Sequence, residues 1–135
     1  MGNEIYQKLY DESNYGDAKA NRCPSARYYP KFKDHLISPV VDFGCGRGDC
    51  VSLMISDGIS ACGIDQVELS NYMLVGDITE PMIFDNEYGS SICIDVFEHL
   101  TDAECIGVLE NMKIKLEILN TSIIANYRSN KWYQL

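Results

Sequence analysis

No apolar run in the 135 residues approaches the roughly 20 needed to cross a bilayer. The opening residues, Met1-Gly2-Asn3-Glu4-Ile5-Tyr6, supply neither the basic nor the apolar region of a signal peptide, and Tyr6 stands where a myristoylation signal needs Ser or Thr. A cytoplasmic protein with no membrane contact is expected. There is no C-x-x-C pair. Cys23, Cys45, Cys50, Cys62, Cys93 and Cys105 are scattered, several inside apolar runs, so reduced core thiols are expected in place of a disulfide or zinc framework. Basic residues are scarce, 11 Lys and Arg against 20 Asp and Glu, and the shortage is uneven. Residues 1–39 carry six basic and five acidic residues; residues 40–135 carry five and fifteen. So acidic a body repels a polyanion, which argues against extended nucleic-acid binding. Repeats and linker-like stretches are also missing. One domain over 1–135 is expected, with 1–39 as an N-terminal cover and 40–135 as the core.

What is present centres on Val40-Val41-Asp42-Phe43-Gly44-Cys45-Gly46-Arg47-Gly48-Asp49-Cys50. A short apolar run leads into glycines at every second position, and a helix-compatible segment follows. This reads as a buried strand, a tight turn and a helix N-terminus. Glycines at such a turn accept positive φ and let a ligand approach the backbone. Exposed N–H groups at the helix start would favour an anionic or carboxylate-bearing group. A nucleotide-like cofactor is expected. The spacing is G-x-G-x-G and not the dinucleotide G-x-G-x-x-G. A nicotinamide or flavin cofactor, or a turn with no ligand, remains a weaker alternative on spacing alone.

Along the chain, residues 1–20 suggest a short helix with Ile5, Leu9 and Tyr10 on one side, then a turn at Asn14–Asp17. Residues 19–33 mix basic and aromatic groups, including Arg22, Arg27, Tyr28 and Tyr29, with Pro24 and Pro30 breaking any long helix. An irregular cover that borders the site is expected there, with Arg22 and Arg27 facing an anionic acceptor. Strands are expected at Val40–Gly44, Ile59–Asp65, Tyr72–Val75, Ser90–Val96 and Thr121–Ala125. Helices are expected over 49–57, closed by Gly58, and from Thr101 to Asn120. Thr101-x-x-Glu104 is a capping-box pattern that opens the second of these. Strands alternating with helices imply a doubly wound, mainly parallel α/β sheet, with ligands beyond the C-terminal strand ends.

Asp42, two residues before G-x-G-x-G, makes this stretch resemble motif I of the class I S-adenosylmethionine (SAM)-dependent methyltransferases. The resemblance extends over roughly Val40 to Asn126. It implies a Rossmann-like fold with SAM as cofactor. Asp42, Gly44, Cys45 and Gly46 would lie by its methionine part. Asp65 would accept both ribose hydroxyls, with Gln66 beside it, since one carboxylate offers two acceptor oxygens to a vicinal diol. Asp77 would meet the adenine amino group and Ile78 the ring face. Ile94-Asp95-Val96-Phe97-Glu98-His99-Leu100 is similar to motif IV of the small-molecule branch, which puts Asp95 and Val96 near the methionine moiety. Asn126 lies where many relatives have Pro-Asn. The Asp/Asn-Pro-Pro-Tyr/Phe motif of DNA amino-methylases is absent.

Methyl transfer from a sulfonium needs alignment first and a base only for a protonated nucleophile. His99, Glu98 and Asp95 are the candidates for that role. Asp95, Glu98 and His99 also resemble the metal-binding E-x-x-E-H cluster of small-RNA 2′-O-methyltransferases. The other histidine, His35, lies upstream of motif I, and no metal is expected. The resemblance implies a minimal methyltransferase acting on a small molecule or an exposed macromolecular group. A SAM-binding or SAM-degrading protein is the alternative. Only Tyr127–Leu135 follow strand five, too few for the family's strand 6–7 hairpin, so a sheet of about five strands is expected. This compact form resembles small bacteriophage methyltransferase-like proteins. An uncovered fifth strand would favour a homodimer, with the tail at Trp132 and Tyr133 as the competing cover.

Overall fold

The structure, a computed structural model, describes residues 24–68, 73–84, 87–113, 122–126 and 132–134. The helix expected over 1–20, Arg22, Cys23 and the far end of the helix from Thr101 lie outside these residues. The elements run α1 (Pro24–Phe32), β1 (Val40–Phe43), α2 (Asp49–Ser56), β2 (Ala61–Asp65), β3 (Met73–Val75), β4 (Ser90–Cys93), α3 (Asp102–Lys113), β5 (Ser122–Asn126) and β6 (Trp132–Gln134). Single 3-10 turns stand at Lys33–His35 and Phe97–His99.

The strands form one sheet in the order β3-β2-β1-β4-β5-β6. The pairs β3-β2, β2-β1, β1-β4 and β4-β5 are parallel. β1 is central and all four of its residues are buried, as its continuous apolar character requires in a sheet covered on both faces. Alternate residues feed opposite layers. Val40 joins Cys50, Val51 and Met54 of α2 and Ala26, Tyr29 and Phe32 of α1. Val41 and Phe43 join Val108 and Met112 of α3 on the other face. Chain order reverses between β1 and β4, so the crevice for a ligand opens at their C-terminal ends.

Two expectations are corrected. The first concerns residues 24–32, which are helical despite two prolines. Pro24 opens α1, where its missing N–H is one of the helix's unbonded groups anyway, and Pro30 falls in the last turn of a nine-residue helix. The stripe Ser25, Ala26, Tyr29 and Phe32 is buried, and the Tyr29 hydroxyl donates to Asp57 Oδ2 at 2.7 Å, tying α1 to the end of α2. Burial first, and that carboxylate second, raise the Tyr29 pKa above the ordinary phenol range.

The second concerns the tail. β6 pairs antiparallel with β5 through Ile124↔Gln134, Ala125↔Tyr133 and Asn126↔Trp132, giving six strands where about five were expected. A three-residue strand suffices, because one short antiparallel return satisfies the ladder groups that β5 would otherwise expose. The expectation of a dimer built on an uncovered fifth strand therefore loses its ground.

Strand two begins later than expected, and strands one and four end earlier. β4 stops at Cys93 because Asp95, with φ of 53°, turns the chain out of the extended region. α2 ends with Asp57 as its cap and Gly58 at φ of 82°, the left-handed closure that glycine favours. The capping box is formed: the Thr101 N–H donates to Glu104 Oε1 (3.0 Å) and the Glu104 N–H to Thr101 Oγ1 (3.2 Å). Among the described residues no helix is long and apolar enough to cross a membrane. Among the described residues Cys45, Cys50, Cys62, Cys93 and Cys105 form no disulfide.

Candidate functional site

A cleft opens at the C-terminal ends of the parallel strands, where ligands sit in folds of this kind. Each strand end contributes to it. Gly44 follows β1, Asp65 and Gln66 end β2, Gly76 follows β3, and Asp95 and Val96 follow β4. Ile78 and Thr79 from the next loop, and His99 and Leu100 from the 3-10 turn, complete the lining.

Gly44, Gly46 and Gly48 all have positive φ, so the turn takes a path that other residues adopt only with strain. At Gly44 the neighbour matters as well: an added Cβ would lie 2.6 Å from Val96 Cγ2. Four amides of this turn are used within the protein. Gly44 and Cys45 donate to the Ile64 carbonyl (2.8 and 3.1 Å), Gly46 to Asp65 Oδ2 (2.9 Å) and Gly48 to the Cys45 carbonyl (3.0 Å). The turn therefore permits close approach and organises a carboxylate.

Asp65 is the carboxylate it organises. Oδ2 accepts from Gly46 and Oδ1 from its neighbour Gln66 at 2.7 Å, and the Val67 N–H is directed at the same carboxylate. A carboxylate has about four lone-pair sites, so three backbone N–H groups leave room to accept from a ligand. Burial raises its pKa, and the N–H groups of Gly46, Gln66 and Val67 oppose that rise. Asp42 is different. It lies within β1, fully buried, with neither oxygen hydrogen-bonded. Burial, and secondarily the charge on Asp65, push its pKa from an ordinary 3.8 up to about 8. Burial therefore favours the protonated form of Asp42, whereas the backbone N–H groups at Asp65 favour its charged form.

After β4, Asp95 is the one non-glycine residue with positive φ among the described residues, a cost that commonly marks functional turns. Phe97 is anchored in the core on the α3 side and fixes the turn from which His99 projects. His99 Nε2 stands 3.7 Å from Glu98 Oε1, and Glu98 Oε2 is buried without a hydrogen-bond partner. Among the described residues no three His, Cys, Asp or Glu side chains converge as metal ligands.

Of the residues expected around the cofactor, Gly44, Asp65, Gln66, Ile78, Asp95 and Val96 line the cleft, as does His99. Asp42, Cys45 and Gly46 are buried beneath it. Glu98 stands beside His99 without lining the cleft. Asp77 is exposed, and its Oδ1 accepts from the Thr79 N–H (2.9 Å) and hydroxyl (2.6 Å). Gly76, Thr79 and Leu100 were not anticipated; they stand next to motif residues but have no pattern of their own. The described part of the basic-aromatic segment does not border the cleft. Its inner face is core, and Arg27 and Lys31 lie near the Tyr28 ring (6.0 and 5.5 Å) on the outside. A wider cleft opens at the opposite strand ends, lined by such residues as Pro39, Ala61, Leu74, Ile83 and Tyr88. Among the described residues its lining has no glycine turn and a single carboxylate, Glu87, so the polar groups of the described fold concentrate at the first.

No family model matches the sequence, and no curated protein does. Solved structures match its fold. A TehB-like SAM-dependent methyltransferase from Corynebacterium glutamicum gives a TM-score of 0.67 at 18% identity, over 95% of this chain and 73% of that one. The CcbJ methyltransferase from Streptomyces caelestis gives 0.64 at 17% identity, over 87% and 53%. The glycopeptide N-methyltransferase MtfA, solved in complex with SAM, gives 0.60 at 12% identity, over 87% and 69%. Against another MtfA structure the chain spans 50% of the neighbour's length. At these identities the likeness is one of fold.

Proposed function

We propose that this chain, which has the fold of the class I SAM-dependent methyltransferases, binds SAM in the cleft at its strand ends and transfers the methyl group to an acceptor. The observation that carries the reading is Asp65: a carboxylate at the end of β2, steadied by the backbone N–H groups of Gly46, Gln66 and Val67, that lines the cleft with acceptor capacity left for a ribose hydroxyl. The residues present fit the cofactor in two further respects. Gly44 keeps this wall of the cleft bare backbone, where a Cβ would collide with Val96, and among the described residues the lining carries the carboxylates of Asp65 and Asp95 and no Lys or Arg. Such a lining suits a ligand that carries a sulfonium and an ammonium.

In this reading Asp65 and Gln66 hold the ribose, Ile78 and Thr79 lie against the base with Asp77 at its edge, and Gly44, Asp95 and Val96 border the methionine part. Asp42 and Gly46 act from beneath, and Cys45 packs the turn. The bound cofactor would supply an electrophilic methyl group. The protein's part is to hold acceptor and methyl in line and, for a protonated acceptor, to take a proton at His99, with Glu98 orienting the imidazole. The acidic lining favours a neutral or cationic acceptor over the anionic one first expected. Incubation with methyl-labelled SAM and a cell lysate tests the reading. Label on an acceptor supports it. Free methylthioadenosine would instead identify a SAM-degrading enzyme, and intact SAM a binding module.

A further inference from the structure

The loop 76–82 forms one wall of the cleft through Gly76, Ile78 and Thr79, and it has neither helix nor strand of its own. Its shape is imposed from behind by α3. Asn111, almost completely buried, spends its whole amide on this loop: Nδ2 donates to the carbonyls of Ile78 and Glu80 (2.8 Å each), and Oδ1 accepts from the Met82 N–H at 3.0 Å. Two carbonyls and one N–H facing the amide also fix which end is nitrogen. One turn earlier on the same helix, Gly107 lies against the Thr79 backbone so closely that a Cβ would collide with the Thr79 carbonyl oxygen. The Tyr88 hydroxyl donates to the Asn111 carbonyl at 2.9 Å and holds this part of the helix in turn.

We propose that Asn111, together with the bare backbone at Gly107, is the positioning element for base recognition, setting the 77–80 turn so that the cleft accepts adenine and rejects bases without its amino group. This rests on the reading of the cleft as a SAM site. Neither residue lines the cleft; both act through the loop. The ribose end is built separately, by Asp65 from β2 and the glycine turn, so base selectivity and ribose affinity are separable properties of one site. A residue that merely stabilised the fold would weaken all ligands alike. A positioning residue changes the ratio between ligands that differ only in the base.

The test uses the full chain and two ligands, S-adenosylhomocysteine and its inosine counterpart, in which a carbonyl replaces the amino group. Titration calorimetry on the wild type should give at least about a tenfold preference for the adenine form, because a site arranged around a hydrogen-bonding group rejects the analogue lacking it. Asn111→Asp keeps the size and the acceptor for Met82 but sets a carboxylate against two carbonyls. Gly107→Ala pushes the Thr79 backbone outward while improving helix propensity. Each should weaken the adenine ligand by about tenfold and bring the two ligands within about threefold of each other. Asp65→Ala should weaken both and keep the ratio. If Asn111→Asp fails to fold, by circular dichroism, Gly107→Ala decides alone. Equal weakening of both ligands, unchanged affinities, or a wild type that binds both ligands equally overturns the proposal. A wild type that binds neither ligand overturns the SAM reading itself, and the proposal with it.

Discussion

The glycine turn and the 76–82 loop are two walls of one cleft, made in opposite ways. The turn is shaped by its own residues: glycines at positive φ, and amides spent on β2 and Asp65 within about twenty residues. The loop has no such local instruction beyond the Asp77–Thr79 bonds, and takes its course from a side chain 29 to 33 residues further on. The first wall is therefore sensitive to substitutions within itself, the second to substitutions in a helix that never reaches the ligand.

The largest expected effect lies beneath the first wall. The pKa of Asp42 is raised on folding, so the native state keeps a proton that the unfolded chain releases. Its contribution to stability is complete below about pH 4 and is lost as pH rises through about 8, at up to about 1.4 kcal/mol per pH unit. Burial raises Asp65 in the same sense. Asp42→Asn should flatten the decline, read from urea melts at pH 5 and pH 8. An unchanged slope would mean that Asp42 does not hold that proton.

Gly44→Ala comes next. The left-handed backbone costs a side chain about 1–2 kcal/mol, and displacing Val96 adds about 1–3 kcal/mol. Melting should fall accordingly and stabilisation by SAM should disappear. A variant that melts and binds like the wild type would show the turn to be less constrained than its geometry indicates.

Asp65→Ala follows. It should leave the fold standing and reduce SAM-induced stabilisation by roughly 1–3 kcal/mol, the worth of the lost hydroxyl bonds. Equal melting shifts in variant and wild type, or a shift from NAD and none from SAM, would reject the role given to Asp65.

Thr101→Ala removes the cap of the helix that supports the second wall. About 1 kcal/mol of stability should go, with the ratio of base affinities intact, because Gly107 and Asn111 lie beyond the first turn. A changed ratio would extend the positioning element to the helix start. Smallest of all is Arg27→Ala on the outside of α1, expected within about 0.5 kcal/mol of wild type in stability. Its SAM affinity should also be unchanged, and any loss measured by titration would bring α1 to the cleft after all.

Much of this organisation was legible in the chain. The strand–turn–helix unit at Val40–Cys50, the closure at Gly58 and the capping box at Thr101 depend on conformational preferences and side chain–backbone bonds that span only a few residues. The short apolar run of β1 likewise marked it as a buried strand. Two prolines misled, because their cost depends on where a helix begins and ends, and α1 places one in its first turn and one in its last.

The tertiary structure decided what residue identity could not. Asp42 and Asp65 are the same side chain near the ends of neighbouring strands. One lies inside a central strand under a packed helix, where no water or donor reaches it, and the other is the last residue of its strand, where backbone N–H groups and the cleft both do. Which three residues of the tail return to cover β5, and which asparagine of α3 grips the base-side loop, also follow from elements distant in sequence meeting in space. Sequence determined the local conformations because their energies are local; burial, solvation and pairing across the sheet are properties of the assembled layers, and they alone separate a carboxyl sealed in the core from one that opens on the cleft.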